Sequence, residues 1–399
     1  MGVTEGQVRV GTPAFRRINV ALFCAGFVTF VTLYDLQPLL PIFAREFGVS
    51  PAVASLPLSV ATIALAFGML IAGTLSETLG RKRVMTAALF LTSLLALATL
   101  YSHSFQSLLA LRLLQGLVLA GVPSVAMAYL GEEMDARAIG HAMGLYISGN
   151  ALGGMSGRIG SAILCTYLPW HSAIALIGAI SLLLSIVFLN YLPPSTNFRQ
   201  RPFQPRYLVT SLLQHLRDPG LHCLYALAFL TMGGFISLYN YIGFRLLAPP
   251  YNLSHYHVSL IFLVYLLGSF SSGVVGSLIH RFGRPFMIRL TLLVMLAGTL
   301  ITLSGWLPLI VAGVGVFTCG FFSAHAIASS WVGRRARTAK AQASSIYLFS
   351  YYLGSSISGT VGGLFWVNSG WNGVAAMISL LIIIAFGVAT LLLRLPTVE

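Results

Sequence analysis

Gly73-Thr-Leu-Ser-Glu77-Thr-Leu-Gly80-Arg81-Lys82-Arg83 is the stretch that decides the fold. An apolar run of helix length stands on either side of it. Two glycines, one acid and three bases between such runs read as a tight charged turn between membrane-spanning helices. The turn returns 203 residues later as Gly276-Ser-Leu-Ile-His280-Arg-Phe-Gly283-Arg284. Gly73 matches Gly276, Leu75 matches Leu278 and Gly80 matches Gly283. The chain therefore reads as one unit written twice, and this duplication sets fold, orientation and site together.

Composition agrees. Of 399 residues, 57% are hydrophobic and only 8% charged, against about 25% charged in soluble domains. Lipid must be the solvent for so much apolar surface. Twelve runs reach the length of a span: roughly 18–43, 52–75, 84–102, 106–130, 139–166, 170–192, 219–247, 256–279, 286–305, 307–331, 341–367 and 371–394. Their length and their Leu and Ala content favour helices over the ~10-residue alternating strands of an outer-membrane barrel. The fold class is all-α integral membrane, with twelve transmembrane helices in two pseudo-symmetric six-helix bundles. The expected boundaries are a cytoplasmic tail over 1–17, a first bundle over 18–192, a linker over 193–218 and a second bundle over 219–399.

The net charge of +14 follows from topology rather than from nucleic-acid binding. Of 23 Lys and Arg, Arg45 and Arg245 fall in outer loops and Arg112 and Arg158 inside helices. The other 19 lie in the tail, the even-numbered loops or the C-terminal end, which puts both termini in the cytoplasm. Cys24, Cys165, Cys223 and Cys319 are each alone in a separate helix, with no metal or disulfide spacing. No metal, cofactor or clustered catalytic set is expected, which argues against an enzyme. The apolar run after Arg16 and Arg17 is too long for a signal segment and reads as a retained first helix.

Along the chain, Tyr34-Asp35-Leu-Gln37-Pro38 and Pro41 should bend helix 1, because each proline removes a backbone donor. Helix 4 carries Arg112-Leu-Leu-Gln115-Gly116, and the acidic loop Glu132-Glu133-Met-Asp135 follows. Helix 5 carries Gly149-Asn150, Gly153, Gly154, Gly157 and Arg158. Glycines four apart make a flat stripe on which another helix can lie closely. Tyr34-Asp35 aligns with Tyr239-Asn240, Tyr146 with Tyr347, Gly153 with Gly354, and Gly116 with Gly320. Six helices per half make these parallel repeats. The basic loop from Arg334 to Lys340, including Arg337, mirrors the acidic loop and is expected to face it as a clasp.

The chain resembles the major facilitator superfamily over nearly its whole length. Gly73 to Arg83 looks like its loop 2–3 motif, with Glu77 where Asp is usual. Pro38 and Pro41 look like its helix 1 motif, and Arg112-Leu-Leu-Gln115-Gly116 like the helix 4 motif of proton-coupled members. Gly140, Gly149, Gly153 and Gly157 look like the helix 5 antiporter motif, from which Gly154 (usually Pro) and Arg158 (usually Gly) depart. Within the superfamily, Tyr347-Leu-Phe-Ser-Tyr-Tyr-Leu-Gly354 and Gly149-Asn150 resemble the YnfM-like group of bacterial inner-membrane efflux transporters. The resemblance implies a monomer in the inner membrane that exports small organic molecules against protons. Uptake of a polar anion or sugar is the alternative that Arg158 keeps open.

Charge inside hydrocarbon costs at least ~2.5–3.5 kcal/mol per central residue, so a buried ion should face a cavity or a partner. Asp35 is the one acid of nine placed well inside a span, and Arg112 and Arg158 are the bases at that depth. Desolvation raises a buried carboxylate's pKa and a neighbouring guanidinium lowers it. Asp35 is therefore the expected proton-coupling group, with Arg112 as its partner by position in the matching motif. A fixed ion pair that only orients helices 1 and 4 is the competing reading. Arg158, Asn240, His325, Asn150 and the tyrosines Tyr34, Tyr146, Tyr239 and Tyr347 are the expected cavity residues, each with a packing role as its alternative. Gly73, Glu77, Gly80, Arg81 and Lys82 are expected to latch the cytoplasmic side. Gly149, Gly153, Gly157 and Gly354 are expected to pack helices.

Overall fold

The computed structural model describes residues 7–135, 137–198, 200, 210, 212–336 and 340–395. Arg199, Arg201, Arg206 and Arg337 lie outside the described residues. In the first half, α1 is Pro13–Tyr34, α2 Leu56–Leu79, α3 Arg81–Ala98, α4 Phe105–Leu119, α5 Ala138–Leu164 and α6 Trp170–Tyr191. In the second half, α7 is Pro219–Leu247, α8 Tyr265–Phe282, α9 Arg284–Ile301 and α10 Leu307–Arg335. The stretch Lys340–Arg394 breaks at Ser369 and at Gly370, whose φ is 55°. It is thus two helices, α11 (340–368) and α12 (371–394).

Ten described helices are long and apolar enough to cross a membrane. One of these contains both α11 and α12, and the glycine-rich α5 completes the twelve. Gly80 and Gly283, equivalent in the two copies, have φ of 95° and 76°. Side chains rarely adopt that conformation, and it is what turns the chain sharply between α2 and α3 and between α8 and α9.

The described chain forms two compact units. One is Met1–Leu39 with Ile63–Pro205, the other Leu40–Thr62 with Arg206–Glu399. The segment 40–62 joins the second unit because its hydroxyls interlock with α11. Thr62 and Ser356 share a hydrogen bond of 2.7 Å, Ser356 donates to Ser59 O at 2.8 Å, and Thr360 donates to Ser59 Oγ at 2.9 Å.

In the first unit, α1 starts at Pro13, five residues before the expected span. Thr12 caps it by accepting from the Phe15 amide at 3.2 Å. The preceding tail is pinned as well, since Val8 N donates to Glu133 O at 2.8 Å and Asp135 N donates to Val8 O at 3.1 Å. A core of Leu22, Ala25, Val28, Leu89, Tyr129 and Tyr146 fills the bundle. The glycines of α5 carry this packing onto α1. A Cβ on Gly149 would lie 2.5 Å from Phe23 O, and Gly153 and Gly157 stand in the same relation to Phe27 O and Val31 O. Both series advance by four, so two backbones run in contact for about two turns.

The second unit repeats this device with a change. Gly354 of α11 lies against Phe229 O of α7, but one turn on the small residue changes sides, and Ser358 of α11 meets Gly233 of α7. Aromatic rings fill the remainder: Phe235 stacks on Phe321 at 3.8 Å, and Tyr239 lies 5.0 Å from Tyr265.

Asp218 caps α7 by accepting from Gly220 N at 2.8 Å and from Arg335 at 2.8–2.9 Å. Partial burial pushes its carboxyl up, but the bonds and charge of Arg335 with the helix amides outweigh this and hold it below the ordinary value. A carboxyl so depressed stabilises the fold at and above its unfolded pKa of ~3.9 and loses that effect as pH falls through the lower folded value. Asp218→Ala should therefore cost about 1 kcal/mol at neutral pH. The gap in thermal midpoint from the parent protein should hold down to about pH 4 and close below it. A gap that widens on acidification would contradict this assignment.

Candidate functional site

The site in the first unit begins where α1 stops. The helix ends at Tyr34, and a 3-10 turn over Gln37–Leu39 follows. Pro38 has no N–H to continue the ladder, and at the bend expected from Pro38 and Pro41 the α-helical ladder is interrupted by this 3-10 turn before Leu40–Glu46 resumes it. A broken helix leaves carbonyls without partners and a negative end. Arg112 of α4 caps that end. Its guanidinium donates to Thr32 O at 2.8 Å, Leu33 O at 2.6 Å and Gln115 Oε1 at 2.6 Å.

It also meets Asp35 Oδ1 at 3.2 Å, and both side chains are at most 1% exposed. The longest of the four bonds is thus the charged one, and three neutral oxygens hold the guanidinium independently of Asp35. The other carboxylate oxygen, Oδ2, is buried and accepts no hydrogen bond from any described residue. Gln115, which sequence reasoning missed, lies three residues after Arg112, one turn along the same helix face. That spacing within the quoted motif is the sequence signal for its role.

Arg158 sits against the same break from α5. Its Nε donates to Gln37 Oε1 at 2.5 Å and its Nη1 to Gly154 O at 2.7 Å, and its guanidinium lies 3.9 Å from the Tyr34 ring centre. The residue is 2% exposed. The two departures at 154 and 158 are one feature, because a Cβ on Gly154 would come within 3.2 Å of Arg158 Nη1. The lost side chain makes room for the added one. One carboxylate and two guanidiniums thus converge on residues 32–37.

Tyr146 and Asn150 stand apart from this cluster. Tyr146 is fully buried in the apolar core, and Asn150 Oδ1 lies where a Cβ on Gly26 would be. Both lie between α1 and α5.

In the second unit, His325 Nδ1 is 3.0 Å from Tyr347 Oη, and its ring lies 4.8 Å from that of Tyr351 and 6.1 Å from that of Phe321. Tyr239 shares a 2.7 Å hydrogen bond with Thr318. Asn240 is buried against Gly359. The rings of Tyr239, Phe235, Phe321, His325 and Tyr351 pack in series, with hydroxyl and imidazole groups among them.

The loop after α2 is held chiefly through Arg81. Arg81 is bound by Glu132 at 2.7 Å, by Ser76 Oγ at 2.5 Å and by Gly73 O at 3.2 Å. Glu77 is farther away, at 3.8 Å. Gly73 has open space around the position of a Cβ, so it contributes a carbonyl rather than a close approach. Lys82 donates to Leu192 O at 2.5 Å. The acidic loop is used within its own bundle. Glu133 accepts from Thr196 at 2.6 Å and Asn197 N at 2.9 Å, and Asp135 accepts from Ala138 N at 2.6 Å at the start of α5.

The Major Facilitator Superfamily family model matches residues 20–332. The MFS-type transporter YybF of Bacillus subtilis (strain 168) is 49% identical over 387 residues, covering 97% of this chain and 96% of that protein. The inner membrane transport protein YnfM of Escherichia coli (strain K12) is 48% identical over 387 residues, covering 97% and 93%. Among solved structures, the nucleoside transporter NupG superposes with a TM-score of 0.79 at 14% identity, over 94% of this chain and all of that one. A continuous match at this identity, on twelve helices with polar groups buried at a helix break, makes the chain a multi-pass membrane transporter rather than an enzyme, and it belongs to the Major Facilitator Superfamily.

Proposed function

We propose that this transporter exports small organic molecules across the inner membrane in exchange for protons, working as a monomer by alternating access with both termini cytoplasmic. The observation that carries the reading is the asymmetry of the Asp35–Arg112 pair. A buried ion pair ordinarily cannot lose one charge without stranding the other. Here the guanidinium keeps Thr32 O, Leu33 O and Gln115 Oε1 when Asp35 takes up a proton. Protonation at Oδ2 removes one negative charge beside two guanidiniums and leaves the cap of α1 in place. The excess positive charge at the break then supplies the bias between conformations, since a proton shifts an equilibrium only by its differential affinity for the two states.

The aromatic cluster around His325, Tyr347 and Tyr351 supports aromatic or amphipathic cargo, because such side chains offer large apolar area with a few fixed polar groups. Lipid exposure of the long apolar helix faces and the YnfM likeness support the inner membrane. A second reading, uptake of an organic anion, has Arg158 as its support, since a guanidinium binds carboxylate through two parallel hydrogen bonds.

Proteoliposomes separate the readings. An imposed proton gradient should drive a fluorescent lipophilic cation or a radiolabelled aromatic carboxylate against the direction of proton flow, and Asp35→Asn should abolish that driven component. Cargo moving with the protons favours uptake. Flux of both probes that ignores the gradient would overturn proton coupling.

A further inference from the structure

Two cavities on the first unit meet along a shared wall. The first, of about 650 Å³, opens at the α2–α3 turn and is lined by Gly80, Arg81, Lys82, Arg83, Phe198 and Gln200 among others. The second, of about 520 Å³, is an apolar groove between α2, α3 and α4, with Gly68, Ala72, Val84, Ala88 and Gly121 in its wall. Leu79, Arg83 and Ala87 line both.

The charges here are unequal. Arg81 is 6% exposed and engaged by Glu132. Lys82 spends one N–H on Leu192 O and keeps two. Arg83 is exposed and makes no hydrogen bond or ion pair to any described residue. Arg17, which donates to Asn190 O two residues before Leu192, adds a further base. The fold does not require Lys82 or Arg83, because the second copy makes the same glycine turn with Pro285 and Phe286 in their places.

The groove has a definite length. Along α2 it runs from Leu79 to Gly68, which at 1.5 Å per residue is roughly 16 Å. That is about half the ~30 Å hydrocarbon core, or one leaflet.

We infer that the first bundle binds an anionic phospholipid here, with the phosphate against Lys82 and Arg83 and one acyl chain along the groove of α2, α3 and α4. Each half of the site explains what the other leaves open. A soluble anion has no use for a dry groove that begins at its own binding cation, and a zwitterionic lipid gains little from two unneutralised bases. Exposed Ala87 leaves the shared wall low, while Gly68 and Gly121 let the helices at the floor of the groove pack closely, a Cβ on Gly68 lying 2.6 Å from Ala120 Cβ and one on Gly121 3.0 Å from Ala88 Cβ.

The full-length protein in nanodiscs of phosphatidylcholine, with and without phosphatidylglycerol, tests this. Native mass spectrometry should show retention of phosphatidylglycerol over phosphatidylcholine, and anionic lipid should raise the thermal midpoint. Arg83→Gln should lower that preference about fivefold, the equivalent of ~1 kcal/mol per base near an anionic headgroup. Its side chain holds nothing within the fold, so the variant should fold normally. Ala87→Phe should lower retention without changing charge, and Arg289→Gln, in the second copy, should leave it unchanged. If glycerol phosphate alone reproduces the midpoint shift, the pocket takes soluble phosphate and the lipid assignment is wrong. Unchanged retention in either Arg83→Gln or Ala87→Phe also overturns it.

Discussion

Arg112→Ala is expected to destabilise the protein by about 3–5 kcal/mol, the usual cost of removing one partner from a buried pair, and to leave little folded material after detergent extraction. Asp35→Asn, which removes the other partner, should cost only about 1 kcal/mol. The difference comes from what each side chain holds. Arg112 closes the broken end of α1 through Thr32 O and Leu33 O and ties it to α4 through Gln115. Its loss leaves carbonyls and a carboxylate without donors at a buried helix end. In Asp35→Asn, the amide oxygen of the new side chain would still accept from Arg112 at the longest of the four bonds. Thermal unfolding of both variants in one detergent decides the matter. Equal losses would reduce the cluster to an ordinary ion pair, and a larger loss for Asp35→Asn would remove the basis for exchangeable charge.

The second large effect is expected on the contact between α1 and α5. A Cβ on Gly153 would stand 2.7 Å from Phe27 Cα and 2.9 Å from its carbonyl carbon. Backbone cannot rotate away as a side chain can, so the helices must separate. Gly153→Ala should cost about 1–3 kcal/mol, and Gly153→Leu should prevent assembly of the first bundle. Gly160, two turns further along the same helix, has nothing within 4 Å of such a Cβ. Gly160→Ala should therefore be neutral or stabilise by up to ~1 kcal/mol through helix propensity. Opposite signs for the same chemical change, read as thermal midpoints of the purified variants, distinguish close packing from a general intolerance of α5 to larger residues.

The duplication made much of this legible in advance. The glycines at 80 and 283 stand seven residues after matching glycines in two apolar frames, and a positive φ is the reason glycine is kept there. The stripe at 149, 153 and 157 gave its partner's geometry through spacing alone, since only a helix advancing by four could follow it. Asp35 was conspicuous because an acid in a span has few uses.

Other features were hidden for physical reasons. Arg81 meets Glu132 at 2.7 Å from more than fifty residues away, and spacing along one helix gives no signal for so distant a partner beside Glu77 at 3.8 Å. Gln37 carries no charge, so nothing in the sequence ranked it above other polar residues, and Gln115 offered only its three-residue spacing from Arg112. Tyr146 and Tyr347 occupy equivalent positions in the repeats, yet one lies in an apolar core and the other bonds His325. Duplication preserves backbone position and leaves surroundings free to diverge. The hydroxyls of Ser59, Thr62, Ser356 and Thr360 are individually ordinary, and they acquire meaning only when their two helices lie side by side.

The account depends on Asp35 changing its protonation state while Arg112 stays in place. Infrared difference spectroscopy of the protein in lipid, titrated across the physiological pH range, observes that directly and requires no knowledge of the cargo. A protonated-carboxyl C=O band should appear as the pH falls in the parent protein and be absent from Asp35→Asn, with the amide bands of α1 unchanged. A spectrum without that band, or one in which it survives the substitution, would contradict the proposed role of Asp35.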